Sequence, residues 1–122
     1  GAAAALACLT ETLKLNVPQN AAARGKQLHE GLLKLQDKYE VIGDVRGGHG
    51  LMLALELVSD RASKAAIDKK TINTVQEVAY RSGAMVRVSG PNIILSPPLV
   101  LTEADAQVIL DALDSGLAAA TA

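Results

Sequence analysis

The sequence predicts a small α/β (α+β) domain, a mainly antiparallel sheet with helices packed on it, in the order α-α-β-β-α-β-β-α. Three observations lead there. Apolar residues recur at helical spacing in several separated segments, such as Leu28, Leu32 and Leu35. Short apolar runs between them are strand-like, as in "LMLALELV" and "NIILS". Proline and glycine punctuate the boundaries, at Pro18, Gly83 and Gly90-Pro91. The 122 residues are one domain's worth of chain, so residues 1–122 are expected to share a single core.

The elements follow in order. Residues 3–15 are rich in alanine and leucine and read as a helix, broken by Asn16-Val17-Pro18. Proline lacks the amide donor that a helix interior needs, yet it suits the first turn of the next helix. In that second helix Ala21, Gly25, Leu28, Leu32 and Leu35 form one apolar stripe, with Lys26, Glu30, Lys34 and Lys38 on the wet side, and the end falls near Tyr39. Strands are expected around Val41–Arg46 and Leu51–Val58, the second buried on nearly both faces because only Glu56 interrupts its apolar run. Residues 60–68 read as a loop. Ile72, Val75, Val78 and Ala79 mark a third helix closed by Gly83. "AMVRV" and "NIILS" form a hairpin through Ser89-Gly90-Pro91-Asn92. Thr102 and Asp105 resemble a capping box ahead of a final helix striped by Ala106, Ile109, Leu110, Leu113 and Leu117.

Composition excludes several function classes. A net charge of −1 offers no footprint for nucleic acid or an anionic membrane. The single cysteine, Cys8, allows no internal disulfide and fits a reducing, cytoplasmic setting. The opening "GAAAALACL" has no basic region and makes a poor signal peptide. Having neither an initiator methionine nor a capping residue, it reads as the start of a piece cut from something longer.

The glycine-rich stretch "GDVRGGHGLMLALELVSD", Gly43–Asp60, invites a phosphate-loop reading. A Walker loop needs a Gly-Lys-Ser/Thr ending, and the only lysine before such a residue, Lys70, follows Lys69. Gly48-His49-Gly50 opens a dinucleotide fingerprint, but Leu53 stands in place of its third glycine and a strand follows instead of a helix. The glycines therefore serve a turn and a close backbone approach. His29, His49 and Cys8 lack metal-ligand spacing, so no metal is expected. Asp44 and Arg46 read as an ion pair. No lysine is embedded in apolar residues, and two tyrosines leave little to stack on a planar cofactor, so neither a catalytic nor a cofactor-binding residue is expected. Arg87 differs, because it sits among apolar residues in a strand that ends at a glycine-proline turn. A guanidinium so placed either binds a defined anion or reaches solvent or an acidic side chain.

"IGDVRGGHGLMLALELV" and "GAMVRVSGPNIILSPPLVLTEADAQVILDALDSGL" resemble the C-terminal part of class III aminotransferases, the fold-type-I pyridoxal-phosphate enzymes. The family pattern is roughly G-[DE]-V-R-G-x-G-L-M-x-x-[IL]-E-L-V, then [IL]-x-P-P-L-x-[IL]-T-x-x-[DE]. Here Gly48-His49 fills the place of one residue, so the turn is one longer. The resemblance covers essentially the whole chain. It implies the small domain of a transaminase that moves an amino group from an amine or ω-amino acid donor to a keto acid such as pyruvate, by ping-pong transfer. Pyridoxal 5'-phosphate would be the parent's cofactor, and the parent would be a homodimer. The Schiff-base lysine and the cofactor-gripping residues would lie before residue 1, leaving this chain without cofactor and inactive alone. Arg87 matches the arginine that binds the substrate carboxylate in the ω-amino-acid:pyruvate branch, while Ile94 stands where ornithine-type members carry arginine. The alternative is a stand-alone, non-catalytic module that binds a carboxylate or a protein.

Overall fold

A computed structural model describes all of residues 1–122. Helices α1 (Ala2–Lys14) and α2 (Val17–Lys38) lead into strands β1 (Ile42–Arg46), β2 (Leu53–Asp60) and β3 (Ala65–Ala66). Helix α3 (Lys69–Arg81), strands β4 (Arg87–Ser89) and β5 (Asn92–Leu95) and helix α4 (Glu103–Thr121) complete the chain. The sheet is antiparallel throughout, in the order β1-β2-β5-β4, with β3 paired to β2. None of the helices is long and apolar enough to cross a membrane.

The expected element order holds, with three local differences. Residues 60–68 are more than a loop: Asp60 accepts a hydrogen bond from the Ser63 amide at 2.8 Å, which turns the chain back so that Ala65 and Ala66 pair with β2. The "AMVRV" segment pairs only from Arg87 onward. Upstream, the Ala84 amide donates to Ala79 and the Val86 carbonyl accepts from the Gln76 side chain, so both are committed to α3. Finally, β2 is buried along the whole of one face but on the other only at Val58, which is 2% exposed. Leu53, Leu55 and Leu57 enter the core while Met52 is 68% exposed and Ala54 and Glu56 are half-buried. The reason is one-sided packing: one cluster of 22 residues contains the core, and it takes from β2 and its preceding turn only the odd-numbered leucines.

The stripes read from the sequence point into that cluster. Leu28, Leu32 and Leu35 of α2, Ile72, Val75 and Ala79 of α3, and Ala106, Leu110, Leu113 and Leu117 of α4 are buried. Each fully buried leucine contributes about 1.5–3 kcal/mol relative to exposure. Asp68 and Thr102 cap α3 and α4 by accepting from the amides of Thr71 and Asp105. Gly90, with φ of +58°, opens the two-residue turn between β4 and β5, and Pro91 follows it, a sequence of conformations suited to a type II′ turn. Helix α1 buries none of its residues.

Two contacts fix the helix positions. A Cβ on Gly25 would lie 2.1 Å from the Gly50 carbonyl oxygen, so α2 rests backbone-to-backbone on the glycine turn. At the other end of α2, Asp114 of α4 accepts from the Tyr39 hydroxyl and pairs with Lys38 at 2.8 Å. Those two hydrogen bonds hold the Asp114 carboxyl below its ordinary range, Lys38 first and Tyr39 second.

Gly25→Ala should therefore destabilise by about 1–3 kcal/mol, because the obstacle is backbone. Gly31→Ala should cost less, since its new methyl displaces the Leu110 side chain rather than backbone and gains helix propensity of roughly 1 kcal/mol. Thermal melts of the two variants check the contrast. For Asp114, a lowered folded pKa means stability present above the unfolded value and lost as pH falls through the folded one. Stability should decline below about pH 4, and Asp114→Asn should show a shallower decline over that range in acid denaturation.

Candidate functional site

Five arginines occur in the chain, and the structure sorts them by their partners. Arg24 donates to Gln27 and lies 3.9 Å from Glu103. Arg46 bridges Asp44, at 3.1 Å, and Glu56, so the expected Asp44–Arg46 pair exists with a third member on the neighbouring strand. Arg61 donates to the carbonyls of Gln36, Tyr39, Glu40 and Ile42, closing the C-terminal end of α2 where helical carbonyls have no partner of their own. Arg81 pairs with Glu77 one turn earlier. Arg87 alone makes no hydrogen bond and no ion pair, and its side chain is exposed.

Strand geometry places Arg87. It opens β4 opposite Ile94 of β5, and alternation puts Met85 on the same side while Val86 turns into the core. The side chain therefore rises at the mouth of a groove of about 740 Å³ between the β4–β5 hairpin, the connection after β5 and the first turns of α4. Its walls are mainly apolar, with Met85, Ile94, Pro97, Pro98, Leu101 and Val108 among them. Asp105 and Gln76 supply the other polar groups of note; Asp105 makes no ion pair, while Gln76 is engaged by the Val86 carbonyl. A fixed positive charge with no internal partner, beside apolar walls, can hold a carboxylate by two parallel hydrogen bonds and shelter what is attached to it.

The remaining candidates do not converge on this groove. His29 packs its ring against the turn at Gly48, with ring atoms 3.6–3.7 Å from where a Cβ would be. Cys8 is exposed on α1, and no group of three His, Cys, Asp or Glu side chains could hold a metal ion. All seven lysines are exposed, and the groove contains neither a lysine nor an aromatic ring. These residues do not fit pyridoxal phosphate, which needs an amine for its aldehyde and a cradle for its phosphate.

Sequence reasoning singled out Arg87, which has no side-chain partner in the fold, and missed the groove around it. Met85 is legible as its same-face neighbour two residues away. Pro97, Pro98, Leu101, Asp105 and Val108 join it only because β5 pairs with β4 and α4 folds back, which no local pattern announces.

The aminotransferase class-III family model matches residues 1–117. Among curated relatives, the alanine–glyoxylate aminotransferase 2 homolog 2 of Arabidopsis thaliana, a mitochondrial protein, is 39% identical over 91% of this chain and 24% of its own length. A taurine–pyruvate aminotransferase of Bilophila wadsworthia is 36% identical over 93% of this chain and 26% of its own. The crystal structure of an amine transaminase from an uncultivated Pseudomonas species, in its PLP-bound form, superposes with a TM-score of 0.91 at 42% identity, covering 97% of this chain and 27% of that one. The chain thus spans about a quarter of the length of the relatives it matches.

Because Arg87 supports nothing within the fold, Arg87→Ala should leave the melting temperature of this chain nearly unchanged, within about 0.5 kcal/mol. Arg61→Ala, which abandons four carbonyls, should cost about 1–3 kcal/mol. Parallel denaturation curves of the two variants separate the structural arginine from the available one.

Proposed function

The chain belongs to the class III aminotransferases, and from that membership we propose that it is the C-terminal small domain of a pyridoxal-phosphate-dependent transaminase. Its role there is to close one wall of the substrate site and to offer Arg87 as the clamp for a substrate carboxylate. The observation that carries this reading is the free guanidinium of Arg87 at the mouth of the apolar groove, when every other arginine has an internal partner.

The chemistry assigned to Arg87 is binding and orientation. A guanidinium stays charged at any working pH and grips a carboxylate in a plane, which fixes the direction of the carbon chain behind it. Holding that chain in one orientation presents the reacting carbonyl or amine to the rest of the site instead of to solvent. The apolar walls keep water from one side of the bound molecule. Electron withdrawal at the reacting carbon comes from pyridoxal phosphate, which in this reading is held by parts of the parent enzyme outside residues 1–122. Keto-acid acceptors such as pyruvate, and donors among amines or ω-amino acids, are the substrates proposed. This chain by itself is then without transaminase activity, and the parent is a homodimer.

The reading frame upstream of the codon for Gly1 is the direct check on the parent. It should continue into a large domain with a lysine able to bind the cofactor, whereas a start codon immediately before Gly1 favours a stand-alone binding module. In the full enzyme, Arg87→Ala should lower kcat/KM for keto acids by roughly 10- to 100-fold, the loss of a charge-assisted pair, while simple amines lacking a carboxylate react nearly as before. Equal losses for both substrate classes would remove Arg87 from the clamp role.

A further inference from the structure

We infer that Gln76 is a positioning residue for the Arg87 clamp: its side-chain amide holds the peptide group from which Arg87 projects, and so sets where the guanidinium stands. This rests on the reading of Arg87 as the carboxylate ligand and adds to it a residue from another element.

Arg87 has nothing of its own to hold it. Its guanidinium makes no hydrogen bond and no ion pair, so its direction is set by the backbone beneath it. That backbone lies at a margin. Strand β4 ends the sheet, with β5 on one side and no strand on the other. In an antiparallel pair, successive residues direct their N–H and C=O groups alternately toward the partner strand and away from it. The Pro91 carbonyl accepts from Leu57 of β2, so Ile93 and Leu95 also bond toward β2, and Asn92 and Ile94 toward β4. Ser89 and Arg87 stand opposite Asn92 and Ile94 and bond to β5, which leaves Val88 and Val86 directing their polar groups outward.

Gln76 meets one of those outward groups. Its Nε2 donates to the Val86 carbonyl at 3.1 Å. That carbonyl and the Arg87 amide belong to one planar peptide group. The plane is therefore held from both sides, its N–H turned to β5 and its C=O bound by α3. Tilting it would break both bonds and swing the Cα–Cβ bond of Arg87. Among side chains, Gln76 alone hydrogen-bonds to residues 83–88.

The base from which Gln76 reaches is firm. Its neighbour Val75 is fully buried, and a Cβ on Gly116 of α4 would come within 2.6 Å of the Val75 carbonyl. One turn later, the Ala79 carbonyl accepts from the Ala84 amide, so the segment leading to Arg87 is tied to α3 at two points. A guanidinium must meet a carboxylate in one plane to form two parallel bonds. A clamp already held in place loses less freedom when its ligand arrives.

Gln76→Met keeps the side chain's length and helix propensity and removes the donor, which isolates the bond. In the full enzyme it should raise KM for keto acids about 3- to 10-fold, the worth of one hydrogen bond, with kcat nearly unchanged. The loss for simple amines, which carry no carboxylate, should be clearly smaller. On an Arg87→Ala background the same substitution should add little, because the group it positions is gone. In this 122-residue chain, the Arg87 amide should exchange with solvent deuterium roughly ten-fold faster in the variant. The Ile93 amide, bonded toward β2, should change less.

Equal losses for keto acids and simple amines, a full Gln76→Met effect on the Arg87→Ala background, or an Arg87 amide accelerated no more than that of Ile93 overturns the inference and leaves Arg87 as the clamp. An Arg87→Ala enzyme that loses both substrate classes equally defeats the clamp reading, and the inference with it.

Discussion

Helix α2 meets the turn between β1 and β2 with no side chain between them: the Gly50 carbonyl occupies the space that a Cβ on residue 25 would need. That backbone contact sets how deeply the longest helix sits on the sheet. With α2 at this depth, Leu28 and Leu32 reach full burial over β1 and β2, and its far end arrives where Tyr39 can donate to Asp114 of α4. Helix α4 in turn lies close on α3, where a Cβ on Gly116 would come within 2.6 Å of the Val75 carbonyl. Two glycines thus replace side-chain interlocking by direct backbone approach, one between α2 and the turn and one between α4 and α3.

The consequence is a domain with the apolar stripes of α2, α3 and α4 directed to one core and much of the sheet's other face left open. On that open face Arg46 pairs with both Asp44 and Glu56, leaving the trio one net negative charge, and Ala54 and Ile94 stay half-buried. The margin of the sheet is different. Arg87 emerges there unpaired, next to apolar groups that the core does not use. The domain spends its other arginines on helix ends and ion pairs and leaves this one free beside a groove, so its removal costs the fold little. The exposed leucines of α1, Leu6, Leu9 and Leu13, lie apart from this groove and add nothing to it.

The resemblance carried by "GDVRGGHGLMLALELV" and "LSPPLVLTEAD" is consistent with these positions. Its first block builds the glycine turn and the central strand, so its residues serve packing. Its second block builds β5, the proline wall of the groove and the cap of α4, so it serves both fold and site. A family pattern made of such segments identifies the architecture more directly than the substrate.

Helical stripes, glycine-proline turns and the Thr102 cap were legible because each is written in residues within one or two turns of one another, where spacing alone decides which side faces the core. Arg87 was legible for the same reason, as a charge set among apolar neighbours. The exposure of Met52 and the partial burial of Ala54 beside β2's buried leucines were not, since an apolar run looks alike whether one layer of helices covers it or two. Nor was Arg61 as the cap of α2, because its four carbonyl partners lie 19 to 25 residues earlier in the chain. The groove belongs to this second group: Arg87, Pro98 and Asp105 come together only when β5 pairs with β4 and α4 returns across the sheet. The sequence by itself determined the main elements and their order, and set Arg87 apart as a charge among apolar neighbours. Tertiary structure alone decided which face stays open and what surrounds that residue, because contacts between distant segments depend on strand pairing and helix depth, and no local spacing encodes them.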